Sequence, residues 1–521
     1  MTRTAARSLP GPRPCVVLPG LMRRVSARLT ARLAAWLTAR ATARATARAT
    51  ARATARATAR ATLVSLALAA CGPTSDAPPR PSVLLLVVDT LRADHLGAYG
   101  YELDTSPQLD ALAARGVLFE DCVAGSSWTL MSMVSLMTGQ PLFADVWRVP
   151  ERFPLLGERF AQAGYRTGAV VANSLLASEA GFGRGFDSFE VRQRRRPQWG
   201  AAEVTDRALA FLARQDQRPF LLWVHYLDPH HPYDPAQRPW ARAPAEVLDA
   251  ASLEGIRQAR QALTDDERAA LTGTLEQLAH DIDGYDGEIL ALDAQVGRLL
   301  TALEASGQLQ QTIVVLASDH GESLYQRREH PARIEQLRSF RARKHEPPRL
   351  TDFVKGGHDH WLFEELLRTP LILAGPGLPE GRRVPALMRN LDLLPTLLGL
   401  AGLPPEGAGR DLSSALRGEA PVPPAPWVTA ASGQGAAARL PSGAKVWLPT
   451  EEAAQRFGHE PLAFDLASDP GERHPRAVQG SASQLLDRLR EARAADPFAD
   501  WQGAGADAET LQRLRELGYL R

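Results

Sequence analysis

Pro81–Thr90 reads PSVLLLVVDT, six consecutive aliphatic residues followed by an aspartate. An apolar run without polar alternation is the pattern of a strand buried on both faces of a parallel sheet. The plan recurs in TIVVLASDHGE (312–322) and in PFLLWVHYLDPHHPY (219–233), each apolar run ending in acidic and histidine residues. YRTGAVVANS (165–174) and TPLILAGPG (369–377) read as further strands. Helical patterns lie between them, such as DGEILALDAQVGRLLTALEASG (286–307), with leucines at helical spacing and a closing glycine. Strand–helix alternation predicts an α/β fold, a mostly parallel central sheet with helices on both faces. Ligands of such sheets bind at the carboxyl ends of the strands, where these polar clusters fall.

The pattern changes after about residue 425. PWVTAAS, KVWLP and LAFDLASDPGE are short strand-like pieces, and a helical tail ends in ETLQRLRELGYLR. The expected organisation is a main domain over 82–425 and a small C-terminal α+β subdomain over 426–521. Residues 322–356 form a basic insertion, with seven arginines and two lysines against four acidic residues over 323–355. It reads as a solvated surface excursion, or as a lid or docking surface for an anionic group.

Residues 1–70 are unlike the rest. They hold thirteen arginines and no acidic residue, and arginine recurs at every fourth position from Arg40 to Arg60. A step of four drifts by about 40° per repeat on a helix of 3.6 residues per turn, so no amphipathic face persists. The segment reads as low complexity. The remaining residues carry 47 basic against 59 acidic side chains, a net charge of −12 behind the formal +1 of the whole chain. That balance argues against a nucleic-acid binder. TLVSLALAACG (62–72) has the design of a secretory signal, and its apolar run of about ten residues is short of the roughly 20 that span a bilayer. Leu68-Ala69-Ala70-Cys71 resembles the bacterial lipoprotein box. The resemblance implies cleavage before Cys71, a lipid on its thiol, a flexible tether over 71–81, and a domain held on a membrane facing the periplasm or cell exterior. The only cysteines are Cys15, Cys71 and Cys122, which excludes a disulfide framework.

Asp89, Asp319 and His320 stand at strand ends, and Thr129 follows the loop GSSW. Carboxylates and an imidazole brought from separate strands suit a divalent cation, beside which a hydroxyl becomes a nucleophile. His230 and His358 add polar groups, and Arg92 and Asp94 read equally as loop braces. The order of VVDTLRADHLGAYGY, TSPQLDALAARGVLFEDCVA, WTLMSMVSLMTG, GYRTGAVVANSLL, GFGRGFDSFE, HYLDPHHPYDP, YDGEILALDAQVGRLL, SDHGES, GHDHWLFEELLRTPLILAGPG, NLDLLPTLLGLAGL and FDLASDPGE resembles the sulfatase family of the alkaline phosphatase superfamily. The resemblance implies a three-layer α/β/α sandwich and one metal ion held by Asp89, Thr129, Asp319 and His320. It also implies substrate contacts or acid catalysis by His230 and His358, with His360 a neighbour of the latter.

Three departures stand out. The family signature opens on Cys or Ser ten residues before a Thr-Gly, with Pro and Arg two and four residues on. Here those positions are Thr129, Met131 and Met133. Threonine is not a substrate for oxidation to formylglycine, so no aldehyde hydrate forms. A second Asp beside the first is replaced by Thr90, and the family's Lys is absent from VVANS, where Asn173 stands. The pattern is similar to superfamily branches that use threonine directly on phosphate esters. The expectation is a metal-dependent hydrolase or transferase of sulfate or phosphate esters, phosphate favoured, acting on an anionic small molecule, glycan or lipid headgroup. Calcium, manganese or zinc all suit the ligand set. Ser127 and Ser132 are fallback hydroxyls, and a retired enzyme fold serving as a binding lipoprotein is the second reading.

Overall fold

The computed structural model describes residues 80–499, apart from 145, 193–198, 215, 262, 359, 360 and 459, together with helical residues between 34 and 46. The lipoprotein box with Cys71, the C-terminal tail and His360 lie outside the described residues. The chain divides into two units, Met1–Pro79 and Arg80–Arg521. In the first, Thr38 and Thr42 return their hydroxyls to the carbonyls of Ala34 and Thr38, four residues back in the helix.

In the second unit the central strands are β1 (Ser82–Val88), β2 (Val117–Val123), β3 (Arg166–Val171), β4 (Ser188–Val191), β5 (Phe220–Tyr226) and β6 (Thr312–Ser318). A hairpin, β7 (Ser323–Arg328) with β8 (Val354–Gly357), follows, then β9 (Arg368–Ala374), β10 (Arg382–Val384) and β11 (Met388–Arg389). The large sheet runs β10-β2-β9-β6-β1-β5-β3-β4, with β11 also on β2. Every pairing in it is parallel except those that β9 makes with β2 and β6. β9 is the TPLILAGPG stretch. Its apolar run is as continuous as that of β1, because burial on both faces and not direction sets the composition.

Alternation along β1 builds two cores. Val83, Leu85 and Val87 join one, with α2 (Thr129–Thr138) and α5 (Leu393–Leu400). Leu84, Leu86 and Val88 join the other, with α1 (Pro107–Ala114), α3 (Ala201–Leu212) and α4 (Leu275–Ala305). The sandwich is therefore three layers, α/β/α, as the alternation of elements predicts.

Register sets what sits at the top of the sheet. Val88 pairs with both Tyr226 and Ser318, so the next residues of β1 and β6, Asp89 and Asp319, emerge side by side. Val171 of β3 pairs with His225, which brings Asn173 to the same rim.

A second sheet is an antiparallel meander of β12 (Val428–Ser432), β13 (Gly435–Arg439), β14 (Ala444–Pro449) and β15 (Leu462–Asp465). The alanine-rich β13 carries no strand signature, and the sequence reading lacks it. Ala436, Ala438 and Val446 share the core of the α2 face with Leu485 and Leu489 of the helix Ser481–Ala494. The Ala431 amide donates to the Gly125 carbonyl at 2.9 Å, just ahead of α2.

A buried ion network fastens this sheet to the main one. Lys445, 2% exposed at its side chain, lies 2.9 Å from Glu364 and 2.8 Å from Glu472, while Arg439 pairs with Glu364 and Asp121. Removing the single lysine takes the nearest counter-charge from two buried carboxylates, leaving Glu364 to Arg439 and Glu472 to Arg327 at 3.9 Å. Lys445→Met is expected to lower unfolding stability by about 3–5 kcal/mol in urea denaturation. A loss under about 1 kcal/mol would mean the network does not hold the sheets together.

Candidate active site

The site begins with the break at the end of β1. The Asp89 amide donates to the Tyr226 carbonyl at 3.0 Å, and Thr90 then takes φ 58°, a left-handed conformation that is an outlier for a β-branched residue. Several bonds hold it there. The Thr90 amide reaches Asp319 Oδ1 at 3.3 Å, the Leu91 amide reaches Ser318 Oγ at 3.1 Å, and the buried Tyr285 hydroxyl donates to the Thr90 carbonyl at 2.8 Å. Arg92 grips Asp94 through two nitrogens and donates to the Glu322 carbonyl at 3.0 Å. These two residues are loop braces.

Asp89, Asp319 and His320 are buried completely, and one ligand atom from each lies within 4.8 Å of the others. The Asp89 Oδ2 accepts from Asn173 Nδ2 at 2.8 Å, which leaves Oδ1 without a hydrogen-bond donor. Asp319 Oδ1 accepts the His320 amide at 2.8 Å, and its Oδ2 has no hydrogen-bond donor either. His320 Nδ1 stands 2.9 Å from the Gly321 carbonyl, so it carries the proton and Nε2 presents a lone pair. Gly321 is required here because a Cβ would meet the Glu365 carbonyl oxygen at 2.1 Å.

Thr129 is the first residue of α2, and all ten residues of that helix are buried. Its Oγ1 lies 3.2 Å from His320 Nε2. The position is favourable for an anion, because the first amides of a helix lack intrahelical acceptors and the dipole is positive there. Gly139, in the left-handed region at φ 64°, closes the helix. Ser132, one turn further, is committed elsewhere. Its Oγ donates to the Asp319 carbonyl and accepts from Asn390 Nδ2.

Burial pushes the Asp319 carboxyl up to about 7 and the His320 imidazole down to about 4. Two buried carboxylate oxygens without donors, facing one imidazole lone pair, are a costly arrangement unless a cation neutralises them. Mixed carboxylate, imidazole and hydroxyl donors suit a divalent ion, so the residues fit a metal.

The two further histidines gather over this triad. The ring centroid of His358 is 4.5 Å from that of His320 and 5.1 Å from that of His230. His358 Nδ1 lies 3.2 Å from Glu322 Oε1. Burial alone would raise Glu322, but His358, His230 and His320 hold it below the usual carboxylate range. Thus all six residues expected at the site, Asp89, Thr129, His230, Asp319, His320 and His358, come to one rim. Sequence reasoning missed Glu322 as the partner of His358, Asn173 as the brace of Asp89, and Asn390 behind Ser132. It also missed His225, which is wholly buried and pushed down to about 4 by burial. Glu322 had a signal, since it follows SDHG directly.

A three-layer sandwich with carboxylates, a histidine and a helix-leading hydroxyl at its strand ends defines the ester hydrolases of the alkaline phosphatase superfamily. The chain belongs to the sulfatase family, whose model matches residues 81–403. It is 25% identical over 497 residues to a delta 4,5-hexuronate-2-O-sulfatase of Bacteroides thetaiotaomicron, covering 87% of this chain and 97% of that protein. An N-acetylglucosamine-6-O-sulfatase of the same organism is 25% identical, covering 71% and 76%. Solved structures share the fold. One is a protein bound to its substrate D-glucosamine-2-N,6-O-disulfate (TM-score 0.61, 18% identity, 81% of this chain and 99% of that one). Another is the phosphonate monoester hydrolase of Agrobacterium radiobacter (TM-score 0.58, 21% identity, 80% and 96%).

Metal binding has a readout in stability. Manganese, zinc or calcium at a hundredfold excess over its Kd is expected to add about 2.7 kcal/mol to unfolding of the wild type. Asp89→Asn with Asp319→Asn is expected to abolish that gain in thermal denaturation. A gain that survives the double substitution would place the ion elsewhere.

Proposed function

We propose that this sulfatase-family chain is a metal-dependent hydrolase or transferase of anionic esters with Thr129 as its nucleophile, acting on phosphorus centres in preference to sulfate. The observation that carries this reading is the position of Thr129 Oγ1, 3.2 Å from His320 Nε2 at the head of a buried helix. Asp89, Asp319, His320 and Thr129 would hold the cation, which supplies positive charge to the nucleophile oxygen and to the anionic oxygens of the ester. The amino end of α2 adds its free amides to the same face. Thr129 Oγ1 gives its proton to solvent and attacks the central atom in line, while the bond from that atom to the leaving oxygen breaks. His358, oriented by Glu322, and His230 beside it are the groups that give the leaving oxygen a proton. Water or an acceptor alcohol then releases the threonine ester.

The preference for phosphorus follows from the missing aldehyde. A sulfate ester on a plain threonine has no geminal hydroxyl through which to expel sulfate, whereas a phosphothreonine is open to attack at phosphorus. The names of the sulfatase relatives and of the phosphonate hydrolase neighbours suit either ester class.

Thr129→Ala is expected to lower kcat/KM on p-nitrophenyl phosphate or phenylphosphonate esters by about a thousandfold or more. With p-nitrophenyl phosphate as substrate, the intact protein is expected to gain about 80 Da during turnover, the mass of a phosphoryl group, and Thr129→Ala is expected to lose that gain. Equal rates for the variant and the wild type would remove Thr129 from the mechanism. A faster rate on p-nitrophenyl sulfate would reverse the preference.

We further propose export and lipidation at Cys71, on the sequence Leu68-Ala69-Ala70-Cys71. Among the described residues no helix is long and apolar enough to cross a membrane. Cys71→Ser is expected to move the protein from the membrane to the soluble fraction of cells; unchanged fractionation would exclude a lipid anchor at this residue.

A further inference from the structure

From the end of β5 to Arg242 the chain lies along α4, and two glycines of that helix make room for it. A Cβ at Gly287 would meet the Gln237 carbonyl oxygen at 2.6 Å and the Pro235 ring at 2.8 Å, and one at Gly284 would meet Tyr233 Cβ at 2.9 Å. Glycine is a poor helix residue, so both positions answer to this contact. Arg238 donates to the Tyr233 and His280 carbonyls, and Arg242 pairs with Asp283 and Asp286. The loop carries His230, whose amide donates to the Leu227 carbonyl at 2.8 Å and whose ring stands 5.1 Å from that of His358.

An acid pair closes the near end of this loop. Glu288, next to Gly287, is buried, and its Oε1 accepts the Asp234 amide at 2.9 Å. It is also hydrogen bonded to Asp228, the second residue after β5. Two ionised carboxylates have no proton to donate, so one proton is held between them. The Ala201 amide at the head of α3 donates to Asp228, whose Oδ2 is closed off from solvent without an amide or hydroxyl donor. The groups around the pair do not neutralise it. Asp234 brings a third carboxylate, the Tyr226 hydroxyl is bonded to Thr205 of α3 at 2.8 Å, and Arg298 of α4 is paired with Asp206. Among the described residues no lysine or arginine pairs with Asp228 or Glu288. Burial first, and the Asp228 charge second, push the Glu288 carboxyl up to about 7, and burial pushes Asp228 up as well.

We propose that Glu288 is a positioning residue: sharing one proton with Asp228, it seats the 228–234 loop on α4 and so holds His230 at the reaction centre. The role rests on the proposed reaction, in which His230 helps to protonate the leaving oxygen. Loss of the shared proton to solvent sets two buried carboxylates against each other and loosens the seat of His230. The Glu288 carboxyl lies above its ordinary range in the folded protein, so the stabilisation it gives is full at acid pH and is lost as the pH rises through about 7.

The test compares Glu288→Ala with Glu288→Gln, whose amide keeps a neutral donor to Asp228, in the full-length protein with added manganese. Glu288→Ala is expected to slow phenyl phosphate about tenfold more than p-nitrophenyl phosphate, because the better leaving oxygen needs less help from an acid. Glu288→Gln is expected to restore most of that loss. Between about pH 6 and about pH 8.5 it is also expected to lose several degrees less in Tm than the wild type. Asp319 is common to both proteins and drops out of that difference. Should Glu288→Ala not fold, the same leaving-group comparison between wild type and Glu288→Gln at the higher pH replaces it, with wild type the slower on phenyl phosphate. An equal loss on both substrates would make Glu288 structural only and overturn the positioning role. Parallel pH curves for wild type and Glu288→Gln would overturn the shared proton, even if Thr129 proves catalytic. Activity that survives Thr129→Ala, with the leaving-group and pH differences at Glu288 intact, would sink the nucleophile and support the seat.

Discussion

The molecule turns on two buried carboxylates, Asp89 and Asp319, that no lysine or arginine pairs with among the described residues, with only the His320 imidazole between them. Strand register makes this unavoidable. Once Val88 lies beside Ser318, Asp89 and Asp319 have nowhere to go but the same pocket. The surroundings answer with hydrogen bonds to one oxygen of each and leave the other bare. The strained Thr90 belongs to the same arrangement, because its left-handed turn carries the chain away from the strand and presents its amide to Asp319. A fold that accepts such costs at its most buried point has a cation as their physical justification.

The second sheet matters to chemistry because it is tied to both ends of the site. Its Ala431 holds Gly125, four residues before Thr129, and Lys445 holds Glu364 and Glu472, which frame the far end of the β7–β8 hairpin. Helix α2, which Thr129 opens, is thus fixed between two sheets, one supplying the carboxylates and the other the backing. Where a hydroxyl must meet a tetrahedral anion in line, such bracing from behind is what keeps it aligned.

Much of this was legible in the sequence because burial writes itself into composition. VLLLVV, FLLWVHY and TIVVLAS could only be central strands, and strand ends are where an α/β sheet exposes its polar groups. Asp89, Asp319 and His320 followed from that alone, and the histidines from their neighbours in the family pattern. What was not legible needed three dimensions. The direction of β9 leaves no trace in a run that is buried on both faces. β13, as GAAAR, has side chains too small to announce a strand. Asn173 and Asn390 act through single long-range hydrogen bonds, and nothing local to either residue foretells a partner some 84 or 258 positions away.

The wholly buried helix that Thr129 opens also bears on what can be substituted there. Met131 and Met133 fill the core at the places where sulfatases keep proline and arginine. A guanidinium at 133 would start from a wholly buried position in the apolar core, and a cation left unpaired there costs several kcal/mol. Met133→Arg alone is therefore a substitution against the packing of α2. At positions 131 and 133 the filling of the core and the charge of the site are thus one choice, because the same two side chains decide both.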